Sequence, residues 1–234
     1  MKTWKTRCAI LAISLLALSP QMAFASKIKD HDAVETVGIS MRKLQICHQD
    51  EWRNLTIHLE YSMEEGGEAV NMGVVKEFTR KFLEAYSEPN DFWEIMNVKF
   101  VHALTDAFPD ITVLKSTLSL APDKTLRFPR ETIVQYTKET GALKESFGFT
   151  KLNYLICQET FRSLNLHVAW EMYENPDIFD YPDYLWVDEA IEAFFQENPM
   201  AFSSWSELKP KLQVHLLEQF PTLASVEVDV IAAE

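Results

Sequence analysis

Ile46-Cys47-His48-Gln49-Asp50-Glu51-Trp52-Arg53-Asn54-Leu55-Thr56-Ile57-His58 recurs as Ile156-Cys157-Gln158-Glu159-Thr160-Phe161-Arg162-Ser163-Leu164-Asn165-Leu166-His167, one residue shorter. Further on, Trp93 to Pro109 lies over Trp205 to Pro221 without a gap, with Trp93/Trp205, Lys99/Lys211, Leu104/Leu216, Phe108/Phe220 and Pro109/Pro221 identical. Two unrelated amphipathic segments can share apolar spacing. Shared Cys, Arg, His, Trp and Pro in one order point instead to duplication. A period of about 110 residues is too long for a solenoid unit, so two related modules packed together are expected.

The remaining sequence fits that plan. Lys2, Lys5 and Arg7 precede the apolar run Ala9 to Leu18, and Ala23-Phe24-Ala25 precedes Ser26. This is the pattern of a secretory signal peptide over residues 1–25, so the mature protein is expected to be exported, periplasmic or extracellular. No later segment is apolar for long enough to span a bilayer as a helix. Losing the three cations takes the formal charge from −13 to −16. An acidic chain lacks the cations needed to displace counterions from a phosphate backbone, and nucleic acid is not an expected partner.

The expected fold class is α+β: two ββααββ-type modules, residues 26–140 and 141–234, whose antiparallel sheets form part of a barrel with helices on the outer face. In the first module, Val37 to Ile46 reads as a strand of imperfect alternation. Leu55, Ile57 and Leu59 alternate with Thr56, His58 and Glu60, the period of a half-buried strand. Val75, Phe78, Phe82 and Tyr86 then recur at helical spacing. A second helix opens at Asp91-Phe92-Trp93-Glu94, where Asp91 can cap and Glu94 follows three residues later. Trp93, Met96, Phe100, Leu104 and Phe108 form its apolar stripe. Ile111 to Leu120 and Leu126 to Tyr136 read as strands, and Lys138 to Lys144 as the connection between modules. The second module repeats the scheme with strands over 152–157 and 164–170 and a helix over Tyr184 to Glu197. Its second helix opens at Ser204-Trp205-Ser206-Glu207, Pro210 lies inside it, and a closing strand follows at Val226 to Val230. A fourth strand is missing from this module or is supplied from elsewhere.

The duplicated order strand-strand-helix-helix-strand-strand, with Phe108-Pro109-Asp110-Ile111 running into Leu114 to Leu120, resembles the tunnelling fold, or T-fold. Phe220-Pro221-Thr222-Leu223 running into Val226 to Val230 repeats that passage. The superfamily includes urate oxidase, pyruvoyl-tetrahydropterin synthase, GTP cyclohydrolase and the cyano-deazaguanine nitrile reductases. The resemblance covers most of the mature chain. It implies homo-oligomers that close a barrel, and flat purine- or pterin-like ligands held at module or subunit boundaries. A carboxylate near the start of the second helix would pair with the ligand's N–H edge. Phe92-Trp93-Glu94 resembles the Phe-His-Glu of the nitrile reductases, which makes Glu94 the implied anchor and Phe92 or Trp93 the stacking surface. Glu94 is equally the third helical residue of a capping box.

Other family motifs are absent. No His-Gly-His follows Cys47, no Leu-Pro-Asn-x-His occurs, and Ala121-Pro122-Asp123-Lys124-Thr125-Leu126-Arg127 carries none of the glycines of the reductases' Arg-Arg-Gly-Gly. No cofactor and no metal site is expected. Cys47 lies where the reductase nucleophile would, with Asp50 as its acid. A Cys-dependent enzyme is therefore one alternative, and a structural or interaction protein that kept the scaffold but lost the site is another. Cys47 and Cys157 occupy equivalent repeat positions and are the cysteines left after signal removal. They either pair as a disulfide across a local two-fold axis or remain separate thiols. Arg53 and Arg162 can clamp a carboxylate or ring oxygen, or can pair with Asp50 and Glu159. His58 and His167 are either a two-histidine pair or ordinary hydrogen-bonded strand residues. Residues 171–197 hold nine acids and no Lys or Arg, with Phe179, Tyr181 and Tyr184 interleaved, and read as a solvated loop with aromatic anchors. All six glycines precede residue 150 and none builds a phosphate-cradling loop. Neither Gly-x-Ser-x-Gly nor His-Glu-x-x-His occurs.

Overall fold

The computed structural model describes residues 36–48, 51–66, 70–158, 160–173, 176–177, 180–198 and 205–232, with the side chains of 157, 158, 160–162, 205 and 232 outside the description. The signal peptide expected over residues 1–25 falls outside it, as do Asp50, Glu159 and Ser204. The element order is β1 (Thr36–His48), β2 (Glu51–Met63), α1 (Met72–Ala85), α2 (Trp93–Ala107), β3 (Ile111–Leu120), β4 (Arg130–Thr137), β5 (Ala142–Gln158), β6 (Thr160–Met172), α3 (Tyr184–Glu197), α4 (Trp205–Gln219) and β7 (Leu223–Ala232). No helix among the described residues is long and apolar enough to cross a membrane.

The class is α+β, built on one antiparallel sheet of seven strands in the order β1 to β7. The sheet is open, with β1 and β7 at its edges. The expected connection at Lys138–Lys144 is a hairpin turn: Gly141 takes φ 65, and Thr137 pairs directly with Ala142. The strands on either side of the repeat boundary therefore belong to one continuous ladder.

One row of cross-strand partners fixes which face is buried. Met41, Ile57, Leu118, Thr132, Phe147, Trp170 and Val226 pair in succession across all seven strands, and every one is buried. Partners directly opposite in a sheet point to the same side, so this row marks the apolar face. The neighbouring row, Ser40, His58, Thr117, Ile133, Ser146, Glu171 and Ser225, is mostly polar and faces the other way. Two clusters fill the apolar side. One joins β1–β4 to α1 and α2, and the other joins β5–β7 to α3 and α4. Phe128, from the connection between β3 and β4, stacks on Phe149 at 4.3 Å and belongs to the second cluster.

Two strands carry matching irregularities. The β1–β2 register shifts between Met41 and Leu44, with Lys43 at φ 58, and the β5–β6 register shifts between Lys151 and Tyr154, with Asn153 at φ 52. In β1 the inward side chains change from Val37, Ile39 and Met41 to Leu44, Ile46 and His48 across the shift. This explains the imperfect alternation of that strand in the sequence: a bulge inserts one residue and reverses which side chains face in. Further matches follow. The β2–β3 and β6–β7 registers break at Ser62/Met63 and Glu171/Met172. Trp93 and Trp205 each open a helix. Pro210 lies in the second turn of α4, beyond the positions where its missing N–H is harmless.

The helices sit on the sheet as their apolar stripes require, with differences in detail. In α1, Val75, Thr79 and Leu83 are the buried centre, while Phe78 and Phe82 flank it. Asn71 caps that helix by accepting from Gly73 N at 2.7 Å. In α2, Trp93, Met96, Phe100 and Leu104 are buried as expected, together with Asn97. The Asn97 amide donates to the Ser116 carbonyl (3.3 Å) and the Thr132 carbonyl (3.1 Å) and accepts from Ser116 Oγ (2.7 Å). This polar tie pins α2 over β3 and β4. Asn97→Ala strands the Ser116 hydroxyl in an apolar layer, and a loss of about 1–3 kcal/mol is expected. Urea unfolding measures it, and an unchanged midpoint would mean the tie contributes nothing.

Candidate functional site

A pocket of about 450 Å³ opens where the end of β1, the start of β2, the N-terminus of α2, the β3–β4 connection and the N-terminus of α3 meet. All four residues that the sequence offers as ligand contacts, Glu94, Phe92, Trp93 and Arg53, line it. His48, Arg130, Tyr181, Asp183, Tyr184 and Trp186 complete most of the wall.

Glu94 is the second residue of α2, and its capping-box role is not realised. The N-cap is Phe92, whose side chain makes no capping bond. The Asp91 carboxylate instead takes Lys99 Nζ at 2.6 Å and the Tyr86 hydroxyl. Glu94 is 9% exposed. Burial pushes its carboxyl up to about 7, against the opposing pull of its own backbone N–H, the Arg130 charge and the Tyr184 hydroxyl. A carboxyl titrating near neutrality can accept a proton or a hydrogen bond at little expense, which is unusual for Glu on a helix.

The rest of the wall is held by local ties. The His48 ring donates from Nε2 to the Asp91 carbonyl at 2.9 Å and meets Trp93 edge-on at 4.6 Å, and its burial lowers its proton affinity. This fixes the indole beside Glu94. Asp183 caps α3 by accepting from Leu185 N at 2.8 Å. Tyr184, the first residue of α3, donates its hydroxyl to the Glu131 carbonyl at 2.7 Å and packs on Trp170. Tyr181 donates to Glu145 at 2.8 Å.

Arg53 pairs with Glu51 and with Asp123 (2.9 Å). The same Asp123 oxygen takes Arg130 Nη2 at 2.9 Å. Asp123 also accepts from the backbone N–H groups of Thr125 and Leu126, so one carboxylate folds the β3–β4 connection and fastens it to both arginines. These bonds hold the Asp123 carboxyl below its usual range despite its burial. The connection runs irregularly to Pro129, and β4 therefore begins at Arg130 rather than at Leu126.

Other sequence candidates lie elsewhere. Cys47 is a free, exposed thiol that does not line the pocket, because the β1 bulge turns His48 inward and Cys47 outward. That placement removes the geometric basis for Cys47 as a nucleophile acting on a pocket ligand. Cys157 lies on β5, with β2, β3 and β4 between it and β1, and its side chain is outside the description. His58 and His167 stand on β2 and β6, each hydrogen-bonded through Nδ1 to a hydroxyl of the preceding strand, Ser40 (2.8 Å) and Thr150 (3.0 Å). The acidic, aromatic stretch before α3 is more than a solvated loop, since Tyr181 and Tyr184 face the pocket.

Sequence comparison with protein families and with curated proteins finds no match. Comparison of folds does. A urate oxidase from Bacillus sp. TB-90 superposes with a TM-score of 0.64 at 12% identity, over 84% of this chain and 88% of that one. The uricase from Arthrobacter globiformis does so with 0.64 at 12% identity, over 86% and 82%. A hyperthermostable R298C mutant of the Bacillus enzyme gives 0.64 at 13% identity, over 84% and 89%. The chain thus has the T-fold architecture of these enzymes.

Proposed function

We propose that this chain is an exported T-fold protein that binds a small, flat purine- or pterin-like heterocycle in the pocket between α2 and α3. Glu94 meets the ring's N–H edge, Phe92 or Trp93 covers its face, and Arg53 guards the rim. The observation that carries the reading is the convergence of a buried carboxyl, several aromatic rings and two arginines on one cavity of ligand size. The fold neighbours are by name enzymes of urate, itself a flat purine, which supports the same class of ligand.

The chain further reads as two related modules, residues 26–140 and 141–234. The matching bulges, the matching register breaks and the paired Ser40–His58 and Thr150–His167 contacts support this. A homo-oligomer would use the open edges β1 and β7, whose unpaired backbone groups invite a partner strand. Export rests on the N-terminal residues alone.

A thermal-shift screen of purines, pterins and deazapurines tests the binding reading. A ligand at a hundred times its Kd adds about 2.7 kcal/mol and a clear rise in Tm. Failure of every compound to stabilise the protein overturns the reading and favours a scaffold that has lost its site.

A further inference from the structure

The polar side chains of the pocket wall divide unevenly into donors and acceptors. Arg53 is held by Glu51 and Asp123, and Arg130 Nη2 by Asp123. Arg130 Nη1 is sealed away from the cavity. The hydroxyl protons of Tyr181 and Tyr184 go to Glu145 and to the Glu131 carbonyl. Apart from the indole N–H groups, the side-chain donors of the wall are therefore committed. Acceptors are not: Asp183 gives one oxygen to Leu185 N and keeps the other.

His48 tips the balance further. It is 4% exposed and lines the same pocket. Its Nε2–H goes to the Asp91 carbonyl at 2.9 Å, so Nδ1 carries the lone pair. Burial lowers the proton affinity of the ring, which is neutral at pH 7. Nδ1 has no hydrogen-bond partner among the described residues. It is not one of the sealed polar atoms, which belong to Tyr61, Arg130, Thr132, Trp170 and Asp188, so it keeps some surface beside the pocket. Trp93 at 4.6 Å and Tyr86 at 5.7 Å pack against the imidazole and hold its orientation. A nearly buried acceptor in a fixed tautomer, at the wall of a cavity, is placed to take a donor from a bound molecule.

Resting on the binding reading above, we propose that His48 makes the pocket prefer amino-substituted to oxo-substituted heterocycles, its Nδ1 accepting from an exocyclic amino group. An oxo group in that place would set two lone pairs against each other with no proton between them. Urate, the ring for which the enzymes of like fold are named, carries oxo groups, so this chain's preference runs the other way.

Calorimetric titration of the mature protein at pH 7 with 2,6-diaminopurine, purine and xanthine tests the proposal. The first and the last exchange amino for oxo groups at both ring positions and keep one bicyclic frame. 2,6-Diaminopurine is expected to bind on the order of tenfold tighter than purine and 100-fold tighter than xanthine. In His48→Phe the ratio between 2,6-diaminopurine and xanthine is expected to shrink about tenfold. That variant also loses the tie to Asp91, so a second measurement uses the unaltered chain. With isotope-labelled histidine, the Nδ1 resonance of His48 is expected to move to that of a hydrogen-bonded imidazole nitrogen when 2,6-diaminopurine binds. Xanthine binding as tightly as 2,6-diaminopurine, an unchanged ratio in His48→Phe, or an unmoved Nδ1 resonance overturns the proposal and leaves the heterocycle reading intact. Binding of none of the three overturns the proposal, and the thermal-shift screen then decides whether the broader reading falls with it.

Discussion

Glu94→Gln is expected to make the unliganded protein about 3 kcal/mol more stable at pH 8 and to leave it nearly unchanged at pH 4.5. The folded chain holds the Glu94 proton up to about 7, whereas the ordinary carboxyl value is 4.5. Between those values the native state binds more protons than the unfolded chain, so stability falls as pH rises. Below 4.5 both states are protonated and nothing is lost. Above 7 both are ionised and the full penalty of a buried carboxylate is present. Gln resembles the protonated acid and carries no such penalty at any pH. Denaturant unfolding of both proteins at the two pH values measures the difference. A gain of the same size at both would place its origin outside ionisation. Stability surrendered at one side chain in a pocket wall is what a site kept for binding looks like.

Trp170→Ala is expected to cost about 3–5 kcal/mol, among the largest losses available to a single substitution here. The indole is 2% exposed and lies among Phe147, Phe149 and Tyr184, with ring centroids 6.2, 6.0 and 5.3 Å away. Its Nε1 has no hydrogen-bond partner among the described residues. Trp170→Phe, which removes that stranded donor along with part of the ring, is therefore expected to cost only about 1–2 kcal/mol. The contrast separates volume from polarity: equal losses in the two variants would mean the N–H is satisfied. Because Tyr184 rests on Trp170 and also walls the pocket, the Ala variant should loosen the start of α3 as well.

Much of the fold is legible in the sequence, and the failures have identifiable causes. Helix α3 runs over Tyr184–Glu197 as its apolar spacing indicates, and the core of β2 alternates cleanly at Leu55, Ile57 and Leu59. The first half of β5 escapes notice because Glu145 and Lys151 stand at positions that should be apolar. The Glu145 carboxyl accepts from Tyr181, and Lys151 pairs with Asp188 at 2.6 Å and with Glu192, so partners from the segment before α3 and from α3 itself make these charges tolerable. No local pattern can disclose that. At the site, Glu94, Phe92 and Trp93 are found through a resemblance and Arg53 through its repetition at Arg162, and the pocket gathers all four. Arg130, Tyr181 and Tyr184 are missed because they arrive from distant segments, and their chemistry exists only where those segments meet.

The bulge at Lys43 has a consequence for inheritance. It sets the reading frame of the last residues of β1, so that His48 is presented to the pocket and Cys47 to the outside. Loss of the extra residue itself would restore plain alternation and keep His48 inward, whereas loss of one residue between the bulge and Cys47 would exchange the two, placing a thiol beside Trp93 and Glu94 where an imidazole now stands. Within one scaffold, a deletion rather than a substitution would change the character of the cavity.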